Sequence, residues 1–245
     1  MSTDTSTKLN RNNFLNIVAF VMSFVLNYQE GPGHEDNWFN DMNGMTSLFP
    51  RYESLMTPAD TTFILTKVIL ILEGVFTFAQ LLPKYRGNYL VQECVRYWYF
   101  VLAFTQLLWS FDLNIENIWG SIVSTIFMGV MFAAVSMILI SQAKASDSAT
   151  QTPEEYWLLR FPFNVHCGFI MANFIASINA MFVQIGFGAV TQFILGFISL
   201  GIFVLAGYKF IFKNGPHANY AIPSVLAFYA VSKNRTKDIV HMKDY

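Results

Sequence analysis

Glu73 is the residue best placed to do chemistry, because it lies inside an apolar stretch long enough to cross a membrane. The stretch covers residues 61–83 and reads TTFILTKVILILEGVFTFAQLLP. About 20 mostly apolar residues span a bilayer core as a helix. A charged side chain at the centre of such a helix costs ~2.5–3.5 kcal/mol on insertion scales, so it indicates a function by default. Glu73 could contact a ligand, a proton or a cation inside a helix bundle. It could also be a protonated or paired carboxylate that only ties helices together.

Lys67 is the second charged residue of this stretch, and it is not a natural partner for Glu73. Six helical positions separate the two residues, which corresponds to a rotation of about 240°, so they do not share a face. We expect Lys67 to extend its amine to the membrane interface.

A second set of polar residues lies in the predicted fifth helix: Asn164, His166, Asn173, Ser177 and Asn179. His166, Asn173 and Ser177 are spaced i, i+7 and i+11, which places them on one helical face. This strip could line a cavity and contact a ligand. The alternative is that it forms hydrogen bonds between helices, as polar residues in membrane bundles often do.

The same helix carries small residues at four-residue spacing, namely Ala172, Ala176 and Ala180. Small residues let helix backbones approach closely. This face therefore predicts tight packing, either within the bundle or between the subunits of a homodimer.

Gln106 and Trp109 lie one turn apart on the predicted third helix. A tryptophan beside a glutamine in a membrane span could hold an amphipathic ligand. Trp109 could equally be an interfacial anchor, since tryptophan is enriched where membrane and water meet.

Motifs of catalysis or metal binding are absent from the sequence. It contains no H-E-x-x-H, G-x-S-x-G or glycine-rich phosphate loop. The four histidines have no spacing typical of a metal site. We therefore expect a protein that is not an enzyme and that has no catalytic residues, no metal and no cofactor.

The composition predicts an integral membrane protein that passes through the membrane several times and has lipids as neighbours. Hydrophobic residues make up 54% of the 245 residues and charged residues only 13%, whereas globular chains average about 25% charged residues. The net charge of −1 leaves no large basic surface, which argues against nucleic acid as a partner.

The distribution of apolar residues predicts an all-α fold, a polytopic membrane bundle of about seven transmembrane helices. The predicted helices cover 12–28, 61–83, 92–112, 116–142, 160–184, 187–212 and 217–233. Pro223 lies inside the last, where a tilted, kinked or interfacial helix would fit equally well. Residues 12–233 form one transmembrane domain between a polar N-terminal tail (1–11) and a polar C-terminal tail (234–245). The domain contains a long loop at 29–60 and a flexible polar linker at 142–159. The linker ends in Thr152-Pro153-Glu154-Glu155, which is typical of a helix start.

Three segments resemble the tryptophan-rich sensory protein family, also called TspO/MBR, and especially its longer members with seven spans. Met56-Thr57-Pro58-Ala59, followed by Thr62-Phe63, is similar to a Pro-containing start of the second helix in those members. Gln106-Leu107-Leu108-Trp109-Ser110 looks like a shortened form of another family segment. Leu159-Arg160-Phe161-Pro162-Phe163, with Gly168-Phe169 and Ala172 after it, is similar to a later helix of the longer members. The resemblance covers about residues 14–232.

The resemblance implies an amphipathic ligand such as a tetrapyrrole (porphyrin) or a sterol, bound for sensing or for transmembrane transport. Pro58 and Phe63 would shape the mouth of the pocket, with segment 45–60 as a lid. Glu73, Gln106, Trp109, His166 and Asn173 would be the remaining ligand contacts. The alternative function is that of a non-catalytic accessory subunit in a larger membrane complex. A secondary transporter is a third alternative, although no inverted repeat is visible.

Overall fold

A computed structural model describes residues 9–29, 64–112, 118–146, 152–212 and Val225, and all the long elements in this part of the chain are helices. The six long helices are α1 (Arg11–Gln29), α2 (Ile64–Ala79), α3 (Trp98–Asp112), α4 (Ile118–Ser146), α5 (Phe161–Gln184) and α6 (Ala189–Phe212). They confirm the all-α fold class and the first six predicted helices. The seventh predicted helix, apart from Val225, lies outside the described residues, as do loop residues 30–60 and nearly all of both tails.

Two helical stretches are long and apolar enough to cross a membrane by length and composition, Ile118–Ala145 and Pro153–Gln184. Shorter apolar stretches lie at Arg11–Leu26 and Val190–Leu205. These findings agree with a membrane protein, while the count of seven spans stays a prediction.

Helix α5 is the centre of the bundle. Every residue from Pro162 to Asn173 is buried, which is expected when a helix has neighbours on all sides. It packs most extensively against α4 and also contacts α2 and α6. Helices α1 and α3 complete the described bundle, because α3 packs against α4, and α1 packs against both α3 and α2.

The small-residue face of α5 packs within the helix bundle. Ala172 and Ala176 are fully buried and Ala180 is nearly so. Of the two predicted alternatives, the structure therefore shows packing within the bundle. A homodimer through this face would require the bundle to open, and dimerisation itself stays a prediction.

The start of the third helix differs from the prediction. The sequence predicts a continuous helix from residue 92, but the structure has a short π-helix at Leu90–Val95 and begins α3 at Trp98. Arg96 separates them with φ 46° and ψ −129°, a backbone conformation that no helix contains. Sequence periodicity misses this break because Arg96 is not a typical turn residue.

The predicted flexible linker at 142–159 is wrong at both ends. Helix α4 continues to Ser146, and the buried Gln142 Nε2 donates a 3.0 Å hydrogen bond to the carbonyl of Leu159. The predicted helix start at Thr152 is confirmed by a capping box. The Thr152 hydroxyl accepts from the Glu155 amide, and the Glu155 carboxylate accepts from the Thr152 amide. Only residues 147–151 of the linker lie outside the described residues.

Polar contacts join this helix start to the turn that follows α2. Lys84 forms an ion pair with Glu154, whose carboxylate also accepts a 2.8 Å hydrogen bond from the Tyr85 hydroxyl. Asn88 Nδ2 donates to Glu155 at 2.7 Å. These contacts fix the start of the polypeptide that leads into α5, the helix that carries His166.

Candidate functional site

The centre of the bundle contains a carboxylate and an imidazole in direct contact. Glu73 of α2 places Oε1 2.6 Å from Nδ1 of His166 on α5. Only 1% of the Glu73 side chain and 6% of the His166 side chain are exposed. The contact is therefore a hydrogen bond in a nearly dry environment.

Tyr99 of α3 is the third member of this polar group. Its hydroxyl donates a 3.1 Å hydrogen bond to Oε2 of Glu73, so both carboxylate oxygens have partners. The hydroxyls of Ser23 and Thr77 also face the phenol oxygen, although the Thr77 hydroxyl makes no hydrogen bond of standard geometry to the described residues. The fully buried Tyr99 thus links α3, and through Ser23 also α1, to the carboxylate on α2.

The aromatic ring of Tyr99 is held by edge-to-face contacts. Its centroid lies 5.9 Å from that of Phe76 and 5.5 Å from that of Phe163, and the latter two rings are 4.9 Å apart. These distances fall in the favourable range for aromatic pairs. The cluster orients Tyr99 toward Glu73 and packs α2, α3 and α5 together at this level.

A small cavity adjoins the Glu73–His166 pair. Its volume is about 30 Å³. Five helices contribute to its wall, whose lining is Ser23, Thr66, Ile69, Leu70, Glu73, Gln106, Trp109, Met128, Met131, His166, Phe169 and Ile170. The wall is mostly apolar with a few polar groups, which is the usual character of a small-molecule site.

The size of the cavity limits what it can hold. Space for a single water needs roughly 10–15 Å³, while pockets for drug-sized ligands measure about 300–1,000 Å³. The cavity in this structure therefore holds a polar head group or a few waters. A complete tetrapyrrole or sterol would require side chains or helices to move apart.

The match to known proteins covers nearly the whole chain. The family model described as "TSPO-like protein" matches residues 13–242. The chain belongs to the TSPO-like family. The resemblance to TspO/MBR proteins is thereby confirmed, and with it the assignment as a helical integral membrane protein. No curated protein and no solved structure matches the chain.

The structure of this TSPO-like protein brings four of the predicted ligand contacts to one place. Glu73, Gln106, Trp109 and His166 come from three different helices and all line the cavity. The spacing of these residues in the sequence does not reveal this convergence, because α2 and α5 are distant in the chain. Pro58 and Phe63 lie outside the described residues.

Asn173 does not line this cavity, and its predicted ligand contact stays a prediction. Asn173 is fully buried, but it lies two turns beyond His166, about 10 Å along the helix, and does not line the cavity. Its Nδ2 donates to the carbonyl of Phe169 in the preceding turn. Sharing a helical face with His166 is not enough to place Asn173 at the same depth.

Two further polar residues of α5, Ser177 and Asn179, join helices instead of lining the cavity. The hydroxyl of Ser177 lies 3.1 Å from that of Thr125 on α4. Asn179 Nδ2 donates a 2.9 Å hydrogen bond to Ser199 on α6. For these two residues the structure supports the alternative of interhelical hydrogen bonding. Lys67 is exposed and away from the cavity, as the sequence predicts.

Trp109 is a buried wall of the cavity and not an interfacial anchor. It is 4% exposed, and its indole N–H donates a 2.7 Å hydrogen bond to Ser124 on α4. This bond fixes the plane of the ring against the cavity.

Sequence reasoning missed several residues of the site. Tyr99 lies in the aromatic run RYWYF and does not stand out there, and Ser23 lies in the first apolar helix. A hydroxyl inside a membrane span is a signal, but it is too common to single out one residue. Met128 and Met131 of α4 could not be predicted, because they join the site only through the packing of α4 on α5.

Proposed function

We propose that this TSPO-like protein binds an amphipathic small molecule whose polar head contacts Glu73 and His166. The observation that carries this proposal is a buried pair of a carboxyl group and an imidazole beside a cavity in the bundle core. A buried carboxylate–imidazole pair is seldom more stabilising than apolar residues of similar volume. Its presence in the centre of a membrane bundle is therefore better explained by a ligand than by stability.

The apolar wall supports the amphipathic character of the ligand. Ile69, Leu70 and Ile170 offer only dispersion contacts, whereas Glu73, His166 and Gln106 offer hydrogen bonds. A molecule with a polar head and an apolar body can make both the hydrogen bonds and the dispersion contacts. Tetrapyrroles and sterols, which the family resemblance suggests, are the first candidates, provided that the bundle opens to admit their bodies.

The role we propose is sensing or transmembrane movement of this ligand, without a catalytic step. A charged residue near the midplane of a membrane helix commonly marks the pathway of a substrate or an ion. Glu73 lies on α2, and the residues of its site belong to helices that could shift relative to α2 when a ligand binds.

Quenching of tryptophan fluorescence by a panel of tetrapyrroles and sterols tests the proposal. Trp109 lies in the cavity wall, so saturable quenching at micromolar concentrations is expected to shrink in Trp109→Phe. The exposed Trp119 supplies the matched control, because Trp119→Phe should leave the saturable component in place. Affinity unchanged by both Glu73→Gln and Trp109→Ala would count heavily against this site.

An accessory subunit of a membrane complex is the second candidate. Helix α6 favours it, because this helix exposes a broad apolar surface that includes Val190, Phe197 and Leu205. Lipid or a partner protein could cover that surface. Extraction in mild detergent distinguishes the candidates: elution with other membrane proteins supports the accessory subunit, and elution as a monomer or dimer disfavours it.

A further inference from the structure

Buried polar side chains form a row between α1 and α2, from Glu73 toward one end of the bundle. On α2, Glu73, Thr77 and Gln80 are spaced i, i+4 and i+7, which places them on one helical face. Two residues of α1 face the far part of this row. Nδ2 of Asn16 donates a 2.9 Å hydrogen bond to Oε1 of Gln80, and Nδ2 of Asn13 lies 3.5 Å from the same oxygen. All five side chains of this polar row are at most 4% exposed.

The inner end of the polar row reaches Glu73 through hydroxyl groups. The hydroxyl of Tyr99 donates a 3.1 Å hydrogen bond to Glu73, and the hydroxyl of Thr77 faces the same phenol oxygen. Thr77 lies one turn from Glu73 and, in the other direction, one turn from Gln80. The rise between Thr77 and Gln80 is about 4.5 Å along the helix axis, so one water can contact both side chains.

The outer end of the polar row reaches side chains that are only half-buried. Nε2 of Gln92 donates to Oδ1 of Asn13 at 3.3 Å and to the carbonyl of Arg86 at 2.6 Å. Nδ2 of Asn12 donates to the carbonyl of Gln92 at 3.0 Å. Asn12, Arg86 and Gln92 are all half-buried, and they lie at the end of the bundle where α1 begins. The polar row therefore extends from Glu73 to groups that solvent reaches at this end, the Gln92 end.

Three atoms of the polar row make no hydrogen bond to the described residues, namely Oδ1 of Asn16, Nε2 of Gln80 and Oγ1 of Thr77. Buried polar atoms nearly always have a partner in the protein or in ordered water. Exchanging the oxygen and nitrogen of one amide would bring two like atoms together at the 2.9 Å contact. Exchanging both amides only reverses which residue has the unpaired donor. One amide donor and one amide acceptor thus need a partner in either assignment.

The chemistry of these three atoms favours water over an ion. The amide nitrogen of Gln80 donates, the amide oxygen of Asn16 accepts, and the hydroxyl of Thr77 can do both. A metal cation would meet the N–H group of Gln80, and an anion would meet the oxygen of Asn16. A water molecule both donates and accepts, and a buried water typically makes about three hydrogen bonds to such groups.

We propose that water molecules occupy the interface of α1 and α2 and connect Glu73 to solvent at the Gln92 end of the bundle. One water bridges the amides of Asn16 and Gln80, and the hydroxyl of Thr77 continues the route to Tyr99 and Glu73. An intramembrane carboxyl group that water reaches is typical of pathways for ions or protons. This water route goes beyond the proposed function, because it requires no amphipathic ligand. It also holds for any protonation state of Glu73 and His166.

Nuclear Overhauser contacts between water and side chains test the water route. The full chain is placed in nanodiscs of deuterated lipid, with ¹⁵N-labelled glutamine and methyl-labelled threonine in a deuterated background. A cross peak with the water resonance requires water that lies next to the labelled group and exchanges with bulk water. The signals of Gln80 and Thr77 are assigned by their loss in Gln80→Leu and Thr77→Val.

We expect cross peaks from water to the Nε2 protons of Gln80 and to the methyl group of Thr77 in the unmodified protein. Combining Asn16→Leu with Gln80→Leu replaces both amides by apolar side chains of similar size. The double variant should therefore lose the cross peak at Thr77. Asn179→Leu is the matched control, because it removes a buried amide from the interface of α5 and α6, and both cross peaks should remain in it.

Two results would overturn the inference. The first is a resolved signal of Gln80 or Thr77 without a water contact in the unmodified protein, a result that does not depend on any variant folding. The second is a cross peak at Thr77 that remains in the folded Asn16→Leu, Gln80→Leu double variant, because water would then reach Thr77 by another path. Either result leaves the proposed amphipathic site in place, since quenching of Trp109 fluorescence tests that site separately.

Discussion

His166 Nδ1 lies 2.6 Å from Glu73 Oε1, although 93 residues separate the two in the sequence. This contact joins α2 to the central helix α5, and both side chains are almost entirely buried. It also explains how a carboxyl group can be tolerated inside an apolar span: His166 forms one hydrogen bond with it, and Tyr99 donates a second. The same contact makes the two residues energetically interdependent.

A double-mutant cycle should show this interdependence. Glu73→Leu and His166→Leu each leave a buried polar partner, which costs about 1–3 kcal/mol in the free energy of unfolding. The free energy of unfolding should fall less in the double variant than the sum of the two single losses, with a coupling energy of about 0.5–3 kcal/mol. Denaturant titration in mixed micelles measures these values. A cycle of Glu73→Leu with Asn179→Leu serves as the control and should be additive, since Asn179 contacts Ser199 on α6.

Tyr99→Phe should destabilise the protein without disturbing the aromatic cluster. The ring contacts with Phe76 and Phe163 remain, but Oε2 of Glu73 loses its donor. Leaving a buried polar atom without its partner lowers the free energy of unfolding by about 1–3 kcal/mol. Tyr97→Phe is the control, because Tyr97 is exposed and a surface change of this kind stays within about 0.5 kcal/mol. Equal effects of the two substitutions would show that the Tyr99 hydroxyl does not support Glu73.

The sequence predicted the individual helices well because the length and composition of each long apolar run indicate a helix without reference to the rest of the fold. Length and composition located α1, α2, α4, α5 and α6 to within a few residues. Glu73 stood out for the same reason, since one charge in an apolar run is visible without any knowledge of the fold. Local signals also identified the capping box at Thr152.

Relations between helices could not be predicted in this way. Tyr99 and His166 become partners of Glu73 only when α3 and α5 pack at one depth against α2. Asn173 shows the converse, because it shares a helical face with His166 but lies two turns further along α5 and does not line the cavity. The periodicity of a helix predicts the direction in which a side chain points around the axis. It does not predict which side chains of neighbouring helices lie at the same level, because that depends on how the helices pack.

Gly74 is predicted to be needed for the close approach of α1 to α2. A Cβ atom at this position would lie 3.2 Å from the ring of Phe20 on α1. Gly74→Leu should therefore push the helices apart beside Glu73 and destabilise the protein by about 1–3 kcal/mol, as overpacking does. Gly201→Leu on α6 is the matched control, since a Cβ atom there would meet no described atom within 4 Å.

Thermal unfolding followed by circular dichroism checks the prediction for Gly74. Phe20→Ala combined with Gly74→Leu should recover part of the loss, because the smaller side chain removes the clash. If Gly74→Leu is no less stable than Gly201→Leu, then α1 does not pack on α2 at this position.

Thr152→Ala is predicted to weaken the start of the helical segment that leads into α5. The substitution removes the hydroxyl that accepts from the Glu155 amide. Loss of such a cap typically costs about 1 kcal/mol. Thr152→Ser keeps an equivalent hydroxyl and should retain most of the stability, so it separates the cap from any effect of the lost methyl group. Hydrogen exchange at the Glu155 amide measures the effect locally, with faster exchange expected in Thr152→Ala alone. Equal exchange rates in the two variants would mean that Asn88 and Lys84, which hold Glu155 and Glu154 from the neighbouring turn, fix this helix start without the cap.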